Sequence, residues 1–240
     1  MKSPLPVLTI PHCIDFKTPQ KPDREKFSLP SDKYLFLFAY DLNSYQPRKN
    51  PKATIRAFKK AFAGKEGQDV GLVIKTHSIE GNKEAYEELK SHLTGIENVY
   101  LIDRRLSRED VYNLMYSVDA YVSLHRAEGF GLTVAESMYL GKPVISTNWS
   151  ATTEFLNQSN GCPVDFNLVE LEKNFGPYTQ GQIWADPSSE HAAELMRKLF
   201  KDRKFAKDLG EKAAITIRNQ FSPKIIGKIY EKRLKSFALW

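Results

Sequence analysis

The stretch from Asp119 to Asn148 constrains the fold of this chain more than any other. Its first part, Asp119–Leu124, is short, apolar and rich in β-forming residues, which is typical of a buried parallel strand. A polar loop over 125–131 precedes a helix predicted over Leu132–Leu140, which a glycine and a proline then end. A second strand is predicted over Val144–Thr147. Strand, helix and strand in this order form a βαβ unit, in which ligands bind beyond the carboxyl ends of the strands.

Two carboxylates bracket the turn of this unit: Glu128 lies in the loop and Glu136 lies on the helix. Gly129 and Gly131 allow the backbone to approach a ligand closely. Backbone amides at a helix N-terminus favour anions, and here they belong to Phe130, Gly131, Leu132 and Thr133. Backbone amides that bind phosphate, beside carboxylates that accept hydrogen bonds from hydroxyl groups, suit a sugar nucleotide. The alternative is an ordinary glycine-containing turn with two solvated glutamates.

The residues around this pair carry a family resemblance. AEGFGLTVAESMYLGKPVISTN, residues 127–148, closely resembles the signature of the family-four retaining glycosyltransferases, which have the two-domain GT-B fold. Two positions depart from that pattern: Ser137 replaces a usual alanine, and Trp149-Ser150 replaces a commoner glycine pair. The resemblance implies that Glu128 is a catalytic residue that binds the donor sugar hydroxyls, and that Glu136 binds the ribose. His125, three residues before Glu128, is placed to face the sugar or the phosphate.

A second candidate site for phosphate is predicted in a basic loop after the first strand, Tyr34–Tyr40. It reads DLNSYQPRKNP and precedes a helix over Pro51–Phe62, for which Asn50 is the predicted cap. Two cations before a helix N-terminus suit a phosphate, and the alternative is a solvated basic loop. The family usually has a lysine at the position of Lys49, where it binds the donor diphosphate.

The same loop resembles a D-x-x-S-x-x-x-R-K-N-P variant of the family, in which Arg48 supplies the second cation and Ser44 joins the donor site. The resemblance therefore implies that Lys49 and Arg48 are catalytic, because they would neutralise the leaving diphosphate. The later loop DRRL resembles the family segment that meets the nucleotide base, mainly through the backbone around Leu106. Arg104 and Arg105 either touch phosphate or are solvated.

The predicted organisation is a connector over residues 1–32, a nucleotide-sugar-binding domain over 33–222, and a C-terminal helix over 223–240. The connector holds six prolines, and its LTIPHCID resembles a family motif that follows the first domain. The resemblance implies that the chain begins at the crossover and lacks the N-terminal acceptor domain, on which the last helix would dock. That helix has an apolar stripe opposite lysines, so peripheral contact with an anionic membrane is the alternative. Within the 33–222 domain, Gly161–Ile183 is predicted to be an irregular insertion at the site rim.

The composition of the chain limits which ligands and which cellular locations are expected. The net charge is +6, which could serve nucleotides, headgroups or nucleic acid, but no segment combines clustered basic residues with stacking aromatics, so nucleic acid is not predicted. Two cysteines are too few for a disulfide framework, and no membrane span or signal peptide is recognisable. We therefore expect a cytoplasmic protein, with the inner face of the membrane as a second location.

The predicted fold is α/β, a Rossmann-like parallel sheet with helices on both faces, corresponding to the C-terminal half of a GT-B glycosyltransferase. By resemblance the chain belongs to a hexosyltransferase-type enzyme of glycan or polysaccharide biosynthesis, inactive alone, whose substrate is a UDP- or GDP-sugar. Neither a cofactor nor a metal is expected. A non-catalytic sugar-nucleotide-binding or assembly module is the alternative from another class. An epimerase of related fold would need an acid–base pair that the sequence does not reveal.

Overall fold

The computed structural model describes residues 7–237, without the side chains of 65 and 66. Its main sheet has six parallel strands in the order β3-β2-β1-β4-β5-β6, beside a separate antiparallel hairpin, β7-β8. The strands are β1 (Tyr34–Ala39), β2 (Val70–Lys75), β3 (Val99–Ile102), β4 (Ala120–Ser123), β5 (Val144–Thr147), β6 (Cys162–Val164), β7 (Phe166–Glu170) and β8 (Ile183–Pro187). The predicted α/β class and parallel sheet are confirmed.

Helices cover both faces of the sheet. They are α1 (Gln46–Lys49), α2 (Pro51–Ala61), α3 (Lys83–Leu93), α4 (Arg108–Ser117), α5 (Leu132–Tyr139), α6 (Ser189–Lys201), α7 (Arg203–Gln220) and α8 (Pro223–Lys235). Apolar residues of α2, α3 and α6 pack in one core with Phe36 and Phe38 of β1. Those of α4 and α5 pack in a second core with Leu35 and Leu37. Because successive side chains of a strand point to opposite faces, the apolar run of β1 supplies both cores.

The strand order locates the ligand-binding edge. The chain builds outward from β1 through β2 to β3, then returns to place β4 on the other side of β1. In such doubly wound sheets the crevice lies where the order reverses, beyond the carboxyl ends of the two central strands. Here those strands are β1 and β4, which pair through Phe36 with Ala120 and Leu37 with Tyr121. The loops that follow them are therefore the two loops that the sequence marks as candidate sites.

Two local predictions are wrong. The segment Gly161–Ile183 is not wholly irregular, because it contains β6, β7 and the first residue of the paired strand β8. Asn50 does not cap α2 with its side chain; it lies in the left-handed region at φ 56° and links α1 directly to α2. Part of the basic loop is thus the helical turn α1.

The proline-rich connector packs against the domain over its described part. Ile14, Phe27 and Leu29 are buried, and the Ile14 amide donates to the Phe221 carbonyl at 2.9 Å. The predicted contacts of the C-terminal helix remain predictions. One side of α8 is anchored by the buried Ile226, whereas its exposed apolar residues are Ile225, Tyr230 and Leu234. Among the described residues no helix is long and apolar enough to cross a membrane.

Candidate functional site

The two loops meet at Glu128. Lys49 Nζ lies 2.5 Å from Glu128 Oε2, and Arg48 Nη1 lies 3.4 Å from Glu128 Oε1. Arg48 Nη1 also donates to the Ala127 carbonyl at 3.1 Å. Only 15% of the Glu128 side chain is exposed, so neither a solvated glutamate nor a solvated basic loop describes this arrangement.

These neighbours determine the charge of Glu128. Burial alone would raise the pKa of its carboxyl, but the ammonium of Lys49 and the guanidinium of Arg48 outweigh burial and hold the pKa below its usual range. Glu128 is therefore ionised at neutral pH. Two cations against one carboxylate leave a net positive charge at the crevice, which favours an anionic ligand.

The turn into α5 requires glycine. Gly131 is the N-cap residue of α5 and has φ 87°, and a Cβ atom there would lie 2.5 Å from Thr152 Cγ2. Gly129 is exposed, with open space around the position of a Cβ. Phe130 packs its ring against Phe155 and Phe221, with centroids 5.5 and 5.7 Å away. The loop is thus anchored on the core by a side chain, while its amides lie at the N-terminus of α5 as predicted.

The second carboxylate, Glu136, lies in a contrasting environment. It is 1% exposed, and burial raises its pKa to about 7 despite the nearby Arg108. Its Oε1 is paired with Arg108 Nη2, whereas its Oε2 is buried and makes no hydrogen bond to the residues that the structure describes. An unpartnered buried carboxylate oxygen is costly unless a ligand satisfies it. Oε2 of Glu136 can therefore accept a hydrogen bond from a hydroxyl group of a ligand.

Sequence reasoning missed Arg108. The Ser107 side chain accepts from the Asp110 amide at 3.1 Å and so caps α4. That cap places Arg108 as the first residue of α4, where its Nε donates to Tyr112 Oη at 2.9 Å. The capping motif was visible in the sequence, but the proximity of α4 to α5 was not.

His125 is fully buried beneath the loop. Its Nδ1 lies 3.1 Å from Ser123 Oγ, and its Nε2 lies 3.3 Å from the Trp149 carbonyl. Burial lowers its pKa to about 4, so the ring is neutral at pH 7, with Nε2 donating to the carbonyl. The structure gives His125 a role in holding the loop, and its contact with a sugar or phosphate stays a prediction.

The other predicted donor-binding residues lie along the same edge. Ser44 and Leu106 are half-buried in the loops after β1 and β3, while Leu132 is 39% exposed at the start of α5. Thr133 Oγ1 accepts from Tyr121 Oη at 2.8 Å. Within the described part of the chain no group of three His, Cys, Asp or Glu side chains could hold a metal ion.

The chain matches the family model described as "Glycosyl transferases group 1" over residues 19–216. It is 25% identical over 203 residues to an alpha-1,3/1,6-mannosyltransferase of Dictyostelium discoideum, covering 80% of this chain and 43% of that relative.

Among solved structures it resembles Anabaena HepE, determined in complex with UDP and glucose, with a TM-score of 0.67 and 17% identity, over 89% of this chain and 51% of that one. It also resembles the C-terminal domain of the group 1 glycosyltransferase LpcC of Francisella tularensis, with a TM-score of 0.59 and 17% identity, over 89% and 97% of the two chains. These structural likenesses concern the fold.

Proposed function

Because the chain belongs to the group 1 glycosyl transferases, we propose that it binds a nucleotide-diphosphate sugar in the crevice beyond β1 and β4. In this proposal it is the donor-binding part of a retaining, metal-independent transferase that acts in glycan or polysaccharide biosynthesis. The substrate is a UDP- or GDP-sugar, and no separate cofactor is needed. The UDP and glucose named for the structurally similar HepE support this class of ligand.

One observation carries the proposal: two cations and the half-buried carboxylate of Glu128 meet in the loop that leads into α5, and a second carboxylate, Glu136, is buried on α5 itself. Lys49 and Arg48 are within 3.4 Å of Glu128, and one oxygen of Glu136 makes no hydrogen bond within the described part of the chain. Cations and helix amides suit a diphosphate, and carboxylates suit hydroxyl groups of sugar and ribose. No single small anion would use all of these groups.

The same geometry suggests how the chemistry would proceed. A bound diphosphate would compete with Glu128 for Lys49 and Arg48, which would release the carboxylate of Glu128 to accept bonds from donor-sugar hydroxyls. The two cations would then neutralise the negative charge that develops on the leaving diphosphate. Glu136 would accept bonds from the ribose.

Transfer needs an acceptor, and we assign acceptor binding to protein surface beyond this domain. The match spans 43% of the mannosyltransferase and 51% of HepE, so both relatives have about as much chain again. Positioning two reactants together contributes a large part of such a rate enhancement. We therefore expect the 240-residue chain to bind donor weakly and to transfer no sugar by itself.

Calorimetric titration tests the donor assignment. UDP, GDP and ADP, their sugars, and the corresponding nucleosides are titrated into the chain, and we expect one nucleotide series to bind with a strong preference for diphosphate over nucleoside. Absence of binding across the panel would overturn the proposal. Radiolabelled sugar appearing in an acceptor, above the background without enzyme, would overturn only the assignment of the acceptor surface.

A further inference from the structure

Arg126 joins the site to the β7-β8 hairpin. It lies two residues before Glu128 and is half-buried. Its Nη2 and Nε donate to Asp186 Oδ1 of β8 at 2.7 and 3.2 Å, and its guanidinium lies 5.2 Å from the ring centroid of Trp184. The backbone is joined as well, because the Ala185 amide donates to the Arg126 carbonyl at 3.1 Å.

Arg126 also binds the end of α1, the helix that carries Arg48 and Lys49. Its Nη1 donates to the Pro47 carbonyl at 3.2 Å, and its amide donates to the Arg48 carbonyl at 2.8 Å. In a continuous helix the Pro47 carbonyl would accept from the residue four positions later, which is Pro51 and has no amide hydrogen. Arg126 therefore supplies the hydrogen-bond donor for the Pro47 carbonyl that Pro51 cannot supply.

The helix α1 needs such support. It has four residues, and Tyr45 at its N-cap makes no side-chain capping bond. A single helical turn is unstable by itself, because few hydrogen bonds offset the loss of backbone entropy. The position of the two cations consequently depends on what α1 contacts.

The hairpin also contacts the start of α1. The Tyr178 ring lies edge-on to Tyr45, with centroids 6.2 Å apart, and Phe175 stacks on Trp184 at 5.4 Å. Gly176 lies so close to the Tyr45 ring that a Cβ would clash with it. One hairpin thus touches α1 at its beginning directly and at its end through Arg126.

We infer that the β7-β8 hairpin, acting through Arg126, is a positioning device that holds Lys49 and Arg48 in place for the donor diphosphate. Arg126 would then be a positioning residue, since it reaches the ligand only through α1. This inference rests on the proposed function for its ligand, but the support of α1 is a property of the protein without ligand. The two parts can therefore be tested separately.

The test without ligand is hydrogen exchange, measured by mass spectrometry on a peptide covering residues 44–50. Arg126→Lys keeps the charge but removes the fork that reaches both Pro47 and Asp186, and Asp186→Asn removes the anion that orients the fork. We expect exchange in this peptide to become about tenfold faster in both variants. Arg56→Lys, on the exposed side of α2, is the matched control. Unchanged exchange in both variants would overturn the inference, whatever the protein binds.

The test with ligand uses the nucleoside diphosphate that binds the wild-type chain best. We expect Arg126→Lys to weaken the diphosphate about tenfold and to leave the nucleoside unchanged, whereas general destabilisation would weaken both. In a double-mutant cycle, adding Lys49→Ala to Arg126→Lys should cost less than Lys49→Ala alone, because Lys49 is already displaced. Strict additivity would overturn the inference. If exchange is faster in both variants but the wild-type chain binds no nucleotide, the positioning device is supported and the proposed function is overturned.

Discussion

Glu128 and Glu136 belong to one βα unit, yet their surroundings shift their pKa values in opposite directions. Glu128, in the loop, contacts Lys49 and Arg48, and its pKa is held below the usual range. Glu136, on α5, is more deeply buried and pairs with one cation among the described residues, the partly exposed Arg108. Its pKa is raised to about 7. A carboxylate's sequence position thus says little about its charge; the number of facing cations and the depth of burial decide it.

The difference also separates two tasks. The charge of Glu128 is balanced by Lys49 and Arg48 before any ligand arrives, so an incoming diphosphate would have to exchange partners with it. Glu136 has one carboxylate oxygen that makes no hydrogen bond to the described residues, and its pKa of about 7 makes its charge depend on pH near neutrality. Binding energy should therefore come from Lys49 and Glu136, and discrimination between sugars from Glu128.

The largest expected effect follows from removing a cation. Lys49→Ala should weaken nucleoside diphosphate binding by roughly 10- to 100-fold, since a charge-assisted contact contributes about 1.5–3 kcal/mol. Nucleoside binding should change little. Titration at two ionic strengths checks the cause, because added salt screens a partly exposed contact and should imitate the mutation. Lys59→Ala, on the exposed face of α2, is the control, and a comparable loss there would assign the effect to net charge.

Glu136→Ala should weaken nucleoside and nucleoside diphosphate alike, by roughly tenfold, because both carry the ribose that this carboxylate would bind. Calorimetric affinities for both ligands measure this effect. The exposed Glu154, in the 3-10 helix after β5, provides the matched control through Glu154→Ala. Loss of the diphosphate alone would contradict the ribose assignment.

The raised pKa of Glu136 predicts a pH dependence of comparable or smaller size. With a pKa of about 7, the ionised fraction rises from about one tenth at pH 6 to about nine tenths at pH 8. Since the ionised form is the better acceptor, affinity should increase up to about tenfold over this range. Tyr112, which also faces Glu136, has its pKa raised above its usual value and does not titrate there.

A nucleotide sugar is the suitable ligand for that measurement, because its diphosphate has no terminal phosphate that titrates near neutrality. Glu136→Gln should flatten the pH profile of binding. A profile that stays equally steep in this variant would assign the titration to another group.

The smallest effect is expected at Glu128. Glu128→Gln should change the affinity for the bare nucleoside diphosphate by less than about threefold, because Lys49 and Arg48 remain and lose a competing anion. Preference among sugars attached to that nucleotide should fall instead. Competition between two nucleotide sugars measures this, and an equal loss of the bare diphosphate in both glutamate variants would contradict the separation of tasks.

The comparison also shows which features could be predicted. The turn into α5 was predictable because Glu128, Gly131 and Glu136 lie in one short segment whose residue types indicate its geometry. Family resemblance alone implied that Lys49 and Glu128, 79 residues apart, belong to one donor site. Their ion pair was not predicted, since no local pattern states that β4 lies beside β1. Apart from the capping residue Ser107 that precedes it, nothing in the local sequence indicated a role for Arg108. The hairpin was obscured by polar and aromatic residues, although its strands pair regularly.

The sequence by itself determined most elements of the main sheet and its helices: apolar runs made the strands β1 to β5, and capping residues, glycines and prolines marked most helix ends, because these choices depend on neighbours along the chain. The tertiary structure alone decided which charges meet. The reversal of strand order beside β1 brings α1 to Glu128, the packing of α4 brings Arg108 to Glu136, and the hairpin brings Asp186 to Arg126. Electrostatic interaction depends on distance and burial, and both exist only after the chain has folded.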